Sequence, residues 1–324
     1  MAIGLDLGTS SIKAVTLSLK DKSLNDYQLI YLDLNENSKT RFKTALKKML
    51  RETSIATTKL VNIGVRGPAV VVRYPVLPKM SKEELAGAMR FELEQHIPFK
   101  KEEVEYDFRV LEEFSPGPQS MKIALAAVRK EFVEEQIKII TEAGLRVSNV
   151  DTDSTALINA FTTTNPLTEG EVVALINIGF ETTNINILKG NEPFLSRDIQ
   201  FGGSSLAKLI AKDKNIALSE ADQILKSEEE REGILELARE NLETLANEIR
   251  LSFGYYESQF EKTISKIYLS GGMVNLLQSF LQEHLGIPVL SWDPTLNLKV
   301  DAKLKDIETD KPKLAVAIGL ALRE

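Results

Sequence analysis

Residues 3–15 read Ile3-Gly4-Leu5-Asp6-Leu7-Gly8-Thr9-Ser10-Ser11-Ile12-Lys13-Ala14-Val15, two apolar runs on either side of a tight polar turn. Ile3, Leu5 and Leu7 alternate, and Ile12, Ala14 and Val15 resume after the turn, which specifies a β-hairpin. Gly8 tolerates positive φ and leaves the backbone bare at the tip. Together with the hydroxyls and amides of Thr9, Ser10 and Ser11 it makes a turn able to cradle a phosphate as an anion-binding nest. Asp6 stands where the first strand enters that turn. It is placed to hold a divalent cation through water, since Mg²⁺ keeps several of its waters. Lys13, just past the turn, is within reach of the same phosphate. One such hairpin alone is usually only a hairpin.

The chain carries a second copy. Val172-Val173-Ala174-Leu175-Ile176-Asn177-Ile178-Gly179 runs into Phe180-Glu181-Thr182-Thr183 and then the strand Asn184-Ile185-Asn186-Ile187-Leu188. Again a buried strand leads to a polar residue, a glycine, hydroxyls and a returning strand. Two such hairpins at the heads of two halves imply an internal duplication. Further on, Ile267-Tyr268-Leu269-Ser270-Gly271-Gly272-Met273-Val274-Asn275-Leu276 is a strand entering Gly-Gly and then a helix, where backbone can approach a flat ring or a phosphate closely.

The length of 324 residues, 43% hydrophobic, suits two globular domains. A net charge of −7 does not favour binding a nucleic-acid backbone. With no cysteine there is neither disulfide nor thiolate chemistry, which fits a reducing compartment. His96 and His284 are far apart and lack neighbouring ligand patterns, so neither a Ser-His-Asp triad nor a histidine metal centre is expected. No basic stretch followed by an apolar core precedes the first strand, so no signal peptide is expected. Residues 314–322, the most apolar late run, fall far short of the roughly 20 needed to span a bilayer.

The motif Asp6-Leu7-Gly8-Thr9-Ser10-Ser11-Ile12-Lys13 resembles the first phosphate motif of the actin/Hsp70/sugar-kinase superfamily. Residues 177–183 resemble its second phosphate motif and Leu269-Ser270-Gly271-Gly272 its adenosine motif, in the superfamily's order. The resemblance spans essentially the whole chain. It implies an α/β, duplicated actin/Hsp70-like (ribonuclease H-like) two-domain fold that binds ATP with Mg²⁺ in the cleft between its halves.

Along the chain, a third strand is expected over 27–32, then a helix capped by Ser38 with Phe42, Ala45, Leu46, Met49 and Leu50 on one face. Strands over 61–65 and 69–72 are separated by a break at Arg66-Gly67-Pro68. Between Pro75 and residue 150 lies a small α+β module. It starts with a helix opened by a Ser81/Glu84 capping box, striped by Leu85, Ala88, Met89, Leu93 and Ile97 and stopped by Pro98. Alternation at Val104, Tyr106, Phe108 and Val110 gives a strand, Ser115-Pro116-Gly117-Pro118 a turn, and 123–128 a buried strand. A second helix carries Phe132, Val133, Ile137 and Ile140, ends at Gly144, and is followed by a strand over 147–150. Asp151-Thr152-Asp153 opens a helix linking the halves, and 162–169 is a polar linker. Ser219 caps a short helix, and 234–259 is mostly one long helix. The charge run 227–231 is a solvated helix end.

An extra subdomain at that place in the first half, with the usual actin one missing, resembles the FtsA branch of the superfamily. FtsA ends in a linker and a membrane-binding helix. This sequence ends just after a run, 315–322, that looks like the superfamily's final connecting helix. That shortened form, and residues 248–259, resemble the PilM family, cytoplasmic actin-like proteins of type IV pilus assembly. The expected division is 1–76 with 149–168 as the first actin-like domain and 77–148 as the FtsA-type inserted subdomain. The second domain core is then 169–201 with 262–324, and 202–261 is a helical subdomain.

The resemblance assigns roles. Asp6 anchors Mg²⁺, while Gly8, Thr9, Ser10, Ser11 and Lys13 bind the β and γ phosphates. Asn177, Gly179, Thr182 and Thr183 hold them from the other side. Gly202 and Gly203 begin a helix whose amides face the cleft. Gly271, Gly272 and Met273 pack on the adenosine, with Asn247 and Arg250 towards base and ribose. Asp153, with Asp151 as the other candidate, would orient water for hydrolysis. Asn177 replaces the aspartate many members carry, which removes a charge near the metal and makes turnover a weaker expectation than binding. Family members bind the cytoplasmic N-terminal tail of the membrane protein PilN in a groove between the insert and the first subdomain. Met89, Leu93, Ile97 and Phe91 are the candidates to line it. Other pilus-platform proteins, the assembly ATPase and self-association are further implied contacts, with the membrane reached only through partners. A filament-forming FtsA-type protein and a sugar or acid kinase on the same fold are the alternatives.

Overall fold

The computed structural model describes residues 1–52, 59–111, 117–168, 170–304 and 307–323. Ser115 and Pro116 of the expected turn and Glu169 of the expected linker lie outside them. The first hairpin forms as β1 (Ala2–Leu7) and β2 (Ser11–Ser18), in register from Ala2 opposite Leu17 to Leu7 opposite Ile12. β3 (Ser23–Tyr31) continues the meander, while β4 (Leu60–Val65) and β9 (Arg146–Thr152) add in parallel on the other side. The second sheet repeats this plan with β10 (Val172–Ile178), β11 (Thr183–Lys189), β12 (Glu192–Ile199), β13 (Lys266–Gly271) and β14 (Val289–Ser291). The orders β3-β2-β1-β4-β9 and β12-β11-β10-β13-β14 match strand for strand, so the two hairpins head equivalent halves. A short β15 (Lys299–Val300) borders the first sheet beside β3.

Helices bury their apolar stripes on these sheets. α1 (Ser38–Glu52) sets Phe42, Ala45, Leu46 and Met49 against the first sheet. Its cap is Asn37 rather than Ser38, since the Thr40 amide donates to Asn37 Oδ1 at 3.0 Å. Between the two sheets run α4 (Asp153–Thr164) and α10 (Ala315–Ala321), whose residues share one core with Val15 and Leu17 of the first sheet and Val173 and Leu175 of the second. Thr162 and Thr164 remain helical because their hydroxyls bond the Ile158 and Ala160 carbonyls at 2.9 and 2.8 Å, so the expected linker begins later than 162.

The insert is a sheet built on β8 (Ser120–Arg129), flanked by β7 (Val104–Val110) on one side and β5 (Val70–Arg73) and β6 (Val76–Pro78) on the other. α2 (Lys82–His96) covers one face of it and opens with the full capping box. The Ser81 amide donates to Glu84 Oε2 at 2.8 Å and the Glu84 amide to Ser81 Oγ at 3.2 Å. α3 (Lys130–Glu142) leans the other way, packing Ile137, Ile139 and Ile140 into the core of the first sheet.

In the second half, α5 (Gly203–Lys214), α6 (Leu218–Leu225) and the following helices cover one face of the second sheet. The expected long helix is two, α7 (Arg231–Leu237) and α8 (Arg239–Phe260), because Ala238 at φ −98°, ψ 8° leaves helical geometry. The apolar stripe passes through this break from Ile234 to Leu242, so spacing alone does not reveal it. Ser219 does not cap α6. It lies inside that helix and accepts a hydrogen bond from Asn35 of the first half at 3.1 Å. Two further ties join the halves. Lys122, on β8 of the insert, meets Glu192 at 2.6 Å, and the Gly67 amide donates to Asp198 Oδ2 at 2.7 Å. Among the described residues no helix is long and apolar enough to cross a membrane.

Candidate functional site

The β1–β2 and β10–β11 tips converge on the end of β4. Asp6, 3% exposed, is held on both carboxylate oxygens, by Lys13 Nζ at 3.0 Å and by Arg66 Nη2. Arg66 Nε pairs with Asp153 Oδ2 at 2.5 Å, and Asp153 opens α4 with its other oxygen, Oδ1, buried and unpartnered. The residue after Arg66, Gly67, reaches the second tip. A Cβ there would stand 3.9 Å from the Thr182 methyl. Thus Asp6, Lys13, Asp153 and Thr182 are gathered around Arg66, which the sequence reading had passed over as part of a break.

At the first tip, the amides of Gly8, Thr9 and Ser10 donate no backbone bond among the described residues, as a phosphate nest requires. Gly8 is needed sterically as well. A Cβ would lie 2.6 Å from the Ser11 carbonyl oxygen and 2.7 Å from Lys13 Nζ. The second tip is closed more tightly. The Gly179 amide bonds the Thr182 carbonyl at 2.9 Å, and the Gly179 and Phe180 carbonyls take the Gly203 and Ser204 amides at 3.0 and 2.6 Å. The first amides of α5, expected to face the cleft, are therefore spent on the second tip. Thr183 is likewise withdrawn, being fully buried and donating its hydroxyl to the Phe201 carbonyl at 2.9 Å. Asn177 Oδ1 accepts from the Ser270 hydroxyl at 3.0 Å, which joins the second and third motifs.

In the third motif Gly271, at φ +98°, lets β13 turn against Ile178, whose carbonyl takes the Gly272 amide at 3.1 Å. Gly272 faces open space, and Met273 sulfur lies 3.3 Å from where a Gly203 Cβ would be. Gly272 is thus open, while Met273 packs on Gly203 in the core of the second half. Asn247 and Arg250 lie elsewhere. Arg250 Nη1 bonds Asn247 Oδ1 at 2.7 Å, and its Nη2 bonds the His284 carbonyl at the C-terminal end of α9 (Val274–Leu285). That end is about 16 Å along the helix from Met273 at 1.5 Å per residue, so neither residue borders the Gly-Gly turn. Arg250 instead suits the negative end of the α9 dipole.

Burial would raise the Asp6 carboxyl, but Arg66 and Lys13 more than offset it and hold it below its usual range. Burial pushes Asp153 up to about 7, opposed by Arg66 and assisted by the Asp6 and Asp198 carboxylates. A native carboxyl with a raised pKa binds its proton more tightly than the unfolded chain does, so its contribution to stability declines from about pH 4 to about pH 7. Asp153→Asn removes that titration. The melting temperature of the variant minus that of the wild type is expected to rise between pH 5 and pH 8 in parallel thermal scans. A difference independent of pH would show that Asp153 stays ionised throughout.

Asp151 faces away from this cluster. Its Oδ2 pairs with Arg323 at 2.5 Å, and burial raises its carboxyl against the pull of that arginine. It lies on a groove of about 990 Å³ between the insert, α3, α4 and the chain's last residues. The groove runs along β7, which among the described residues pairs only with β8 and so has an open edge. Ala124, Ala126 and Val128 contribute from the face of β8 opposite the insert's own core, and Asn191 and Pro193 border it from the second half. Met89, Leu93 and Ile97, expected at a partner groove, are buried in that core under α2 instead. Phe91 is 79% exposed on the outside of α2.

A family model described as type IV pilus assembly protein PilM matches residues 4–324. The chain belongs to the PilM family. Among solved structures, the "PilM-PilN type IV pilus biogenesis complex" is 27% identical at a TM-score of 0.86, with 99% of this chain and 98% of that one covered. Two others share the fold at lower identity. The ethanolamine utilization protein EutJ from Carboxydothermus hydrogenoformans is 15% identical at a TM-score of 0.56, covering 99% of this chain and 89% of that one. MreB 5 of Spiroplasma citri, solved with AMPPNP, is 12% identical at 0.51, covering 98% and 93%. The PilM family accounts for both the duplicated actin-like sheets and the insert between β4 and β9. In this PilM-family chain Arg66 and Asp198 beside the two tips, and Ala124 and Ala126 in the groove, are candidate-site positions that the sequence motifs do not mark.

Proposed function

We propose that this protein is an actin-like scaffold of type IV pilus assembly that takes ATP with Mg²⁺ between its halves and docks the cytoplasmic N-terminal tail of PilN in the groove beside the insert. The observation that carries the nucleotide reading is the convergence of both hairpin tips on Arg66, with the first tip's amides unspent. The donor set fits the group. Gly8, Thr9, Ser10 and Lys13 offer amides, hydroxyls and a cation to phosphate, and Gly272, with open space over its Cα, leaves backbone bare for a flat base. Asp6 is the carboxylate beside the phosphates, suited to a metal held mainly by water and phosphate. The bound nucleotide supplies the phosphoanhydride and the metal supplies charge neutralisation. Asp153, paired through Oδ2 with Arg66 at the start of α4, is the group to orient a water. Thr183, Asn247 and Arg250 drop out of the binding set, and Gly202 supports the second tip.

For the partner, an extended tail lying along the open edge of β7 gains main-chain hydrogen bonds, and side chains opposite Ala124 and Ala126 find room. Recruitment to the inner-membrane face then follows from the partner rather than from a membrane segment of this chain. Isothermal titration tests both halves of the reading. ATP with Mg²⁺ is expected to bind one site per chain, and a synthetic PilN-tail peptide another, with different affinities in the two nucleotide states. Absence of ATP binding would overturn the cleft assignment, and absence of peptide binding in either state would overturn the groove.

A further inference from the structure

Three nitrogens of Arg66 meet three different parts of the cleft. Nη2 bonds Asp6 Oδ1, Nε pairs with Asp153 Oδ2 at 2.5 Å, and Nη1 lies 3.7 Å from where a Cβ of Gly8 would stand. Nη1 has no hydrogen-bond partner among the described residues. The guanidinium is pinned on two sides by buried carboxylates, so its third nitrogen is aimed at the bare tip of the first phosphate loop. Across the pair, Asp153 Oδ1 is also buried and without a partner. A cation fixed by two anions with a donor left over is an arrangement for a third anion. Arginine suits it because its planar fork offers several donors at fixed angles, which a lysine ammonium does not.

We propose that Arg66 is a phosphate-binding residue of the cleft, presenting Nη1 to the nucleotide at the Gly8 tip while Nε and Nη2 hold Asp6 and Asp153. This rests on the nucleotide reading of the cleft and adds to it a ligand that stands outside all three sequence motifs. Arg66 also screens the phosphates from the acidic groups. Asp6, Asp198 and, once ionised, Asp153 bring negative charge near the tips, and Lys13 and Arg66 stand against it.

The test is ATP binding, by titration calorimetry with Mg²⁺ present, to four full-length forms. These are wild type, Asp153→Asn, Arg66→Met with Asp153→Asn, and Arg66→Lys. Asp153→Asn is the background for the double variant, so that removing Arg66 does not leave a buried carboxylate uncompensated. The double variant differs from Asp153→Asn only in lacking the guanidinium and is expected to bind ATP more weakly than it by about tenfold or more, as loss of a charge-assisted hydrogen bond implies. Arg66→Lys keeps a charge but not the fork and is expected to fall between. It also carries the test if the double variant fails to melt cooperatively. An affinity in the folded double variant equal to that of Asp153→Asn, or in Arg66→Lys equal to wild type if the double variant does not fold, overturns the role of Arg66 alone. Failure of the wild type to bind ATP overturns the cleft reading and this inference with it.

Discussion

Replacing Gly319 with valine is expected to leave little soluble, folded protein. Gly319 lies where α10 crosses α4, and a Cβ there would be 1.8 Å from the Ala156 carbonyl oxygen and 2.4 Å from its carbon. The obstacle is backbone, so no rotamer change relieves it. Nor can α10 retreat, because on its other side a Cβ at Gly4 of β1 would already meet the Ala317 carbonyl oxygen at 1.9 Å. The two helices are wedged between two sheets, and Leu157, Phe161, Ile318 and Leu320 around the crossing are fully buried. Ordinary overpacking costs about 1–3 kcal/mol through shifts that this crossing does not permit, so a loss above about 4 kcal/mol is expected. That is a large share of the roughly 5–15 kcal/mol that keeps a protein folded. Gly87 is the control. It sits inside α2 with open space around its Cα, and Gly87→Ala is expected to stabilise by about 0.5–1 kcal/mol through helix propensity. Soluble yield and urea midpoints decide the matter. A Gly319→Val protein within about 1 kcal/mol of wild type would mean that the halves part easily at this crossing.

The elements legible in the sequence were those whose signal is local. Alternation around a glycine-and-hydroxyl turn marked both hairpins, and their likeness implied two equivalent sheets, which the strand orders bear out. The Ser81/Glu84 box and the α2 stripe were legible for the same reason. What the local reading missed depends on which strands become neighbours. Arg66 follows β4, and only the parallel pairing of β4 with β1 brings it to Asp6. The available clue was a charged residue directly after a buried strand, at the carboxyl end of a parallel pair, where α/β sheets place their ligands. Asn184 and Asn186 held another clue. Two amides on one face of an otherwise apolar strand must be satisfied inside the protein, and they are, by Asp198, Ser154 and Ser196.

Other expectations gave way to simple geometry. Thr183 was grouped with the second tip, but side chains alternate across a strand, and Thr183 shares the face of Ile185 and Ile187 in the core. Its hydroxyl is therefore turned from the cleft by the pleat. Gly202 and Gly203 do stand at a helix start beside the cleft. Their neighbourhood is so close, with a Gly202 Cβ falling 2.6 Å from the Gly179 carbonyl oxygen, that the second tip takes the first free amides of α5. An apolar stripe such as Met89, Leu93 and Ile97 specifies a buried face but not the class of partner that buries it. Here that partner is the insert's own sheet.

The groove on the opposite face of that sheet yields the second large effect. Ala126→Trp is expected to abolish docking of the PilN tail while leaving the fold and ATP binding intact. On β8 the side chains of Ile123, Leu125 and Ala127 enter the insert core, so those of Ala124 and Ala126 point the other way, into the groove. Both alanines are only partly buried, and the space above them is what an extended peptide would need. An indole projected from residue 126 brings an aromatic side chain of about 150–250 Å² into that space without displacing any core atom. The expected loss is at least a hundredfold in peptide affinity, about 2.8 kcal/mol. Residue 126 faces the groove, where Asp151 pairs with Arg323 rather than Arg66, so ATP affinity should stay within about twofold, well under the factor of ten that 1.4 kcal/mol represents. Phe91→Ala, on the outer surface of α2, should change neither quantity and distinguishes this groove from an exposed patch on the insert. If the tryptophan variant bound the tail as wild type does and Phe91→Ala did not, docking would belong on the outer face of α2, and the open edge of β7 would have no part in it.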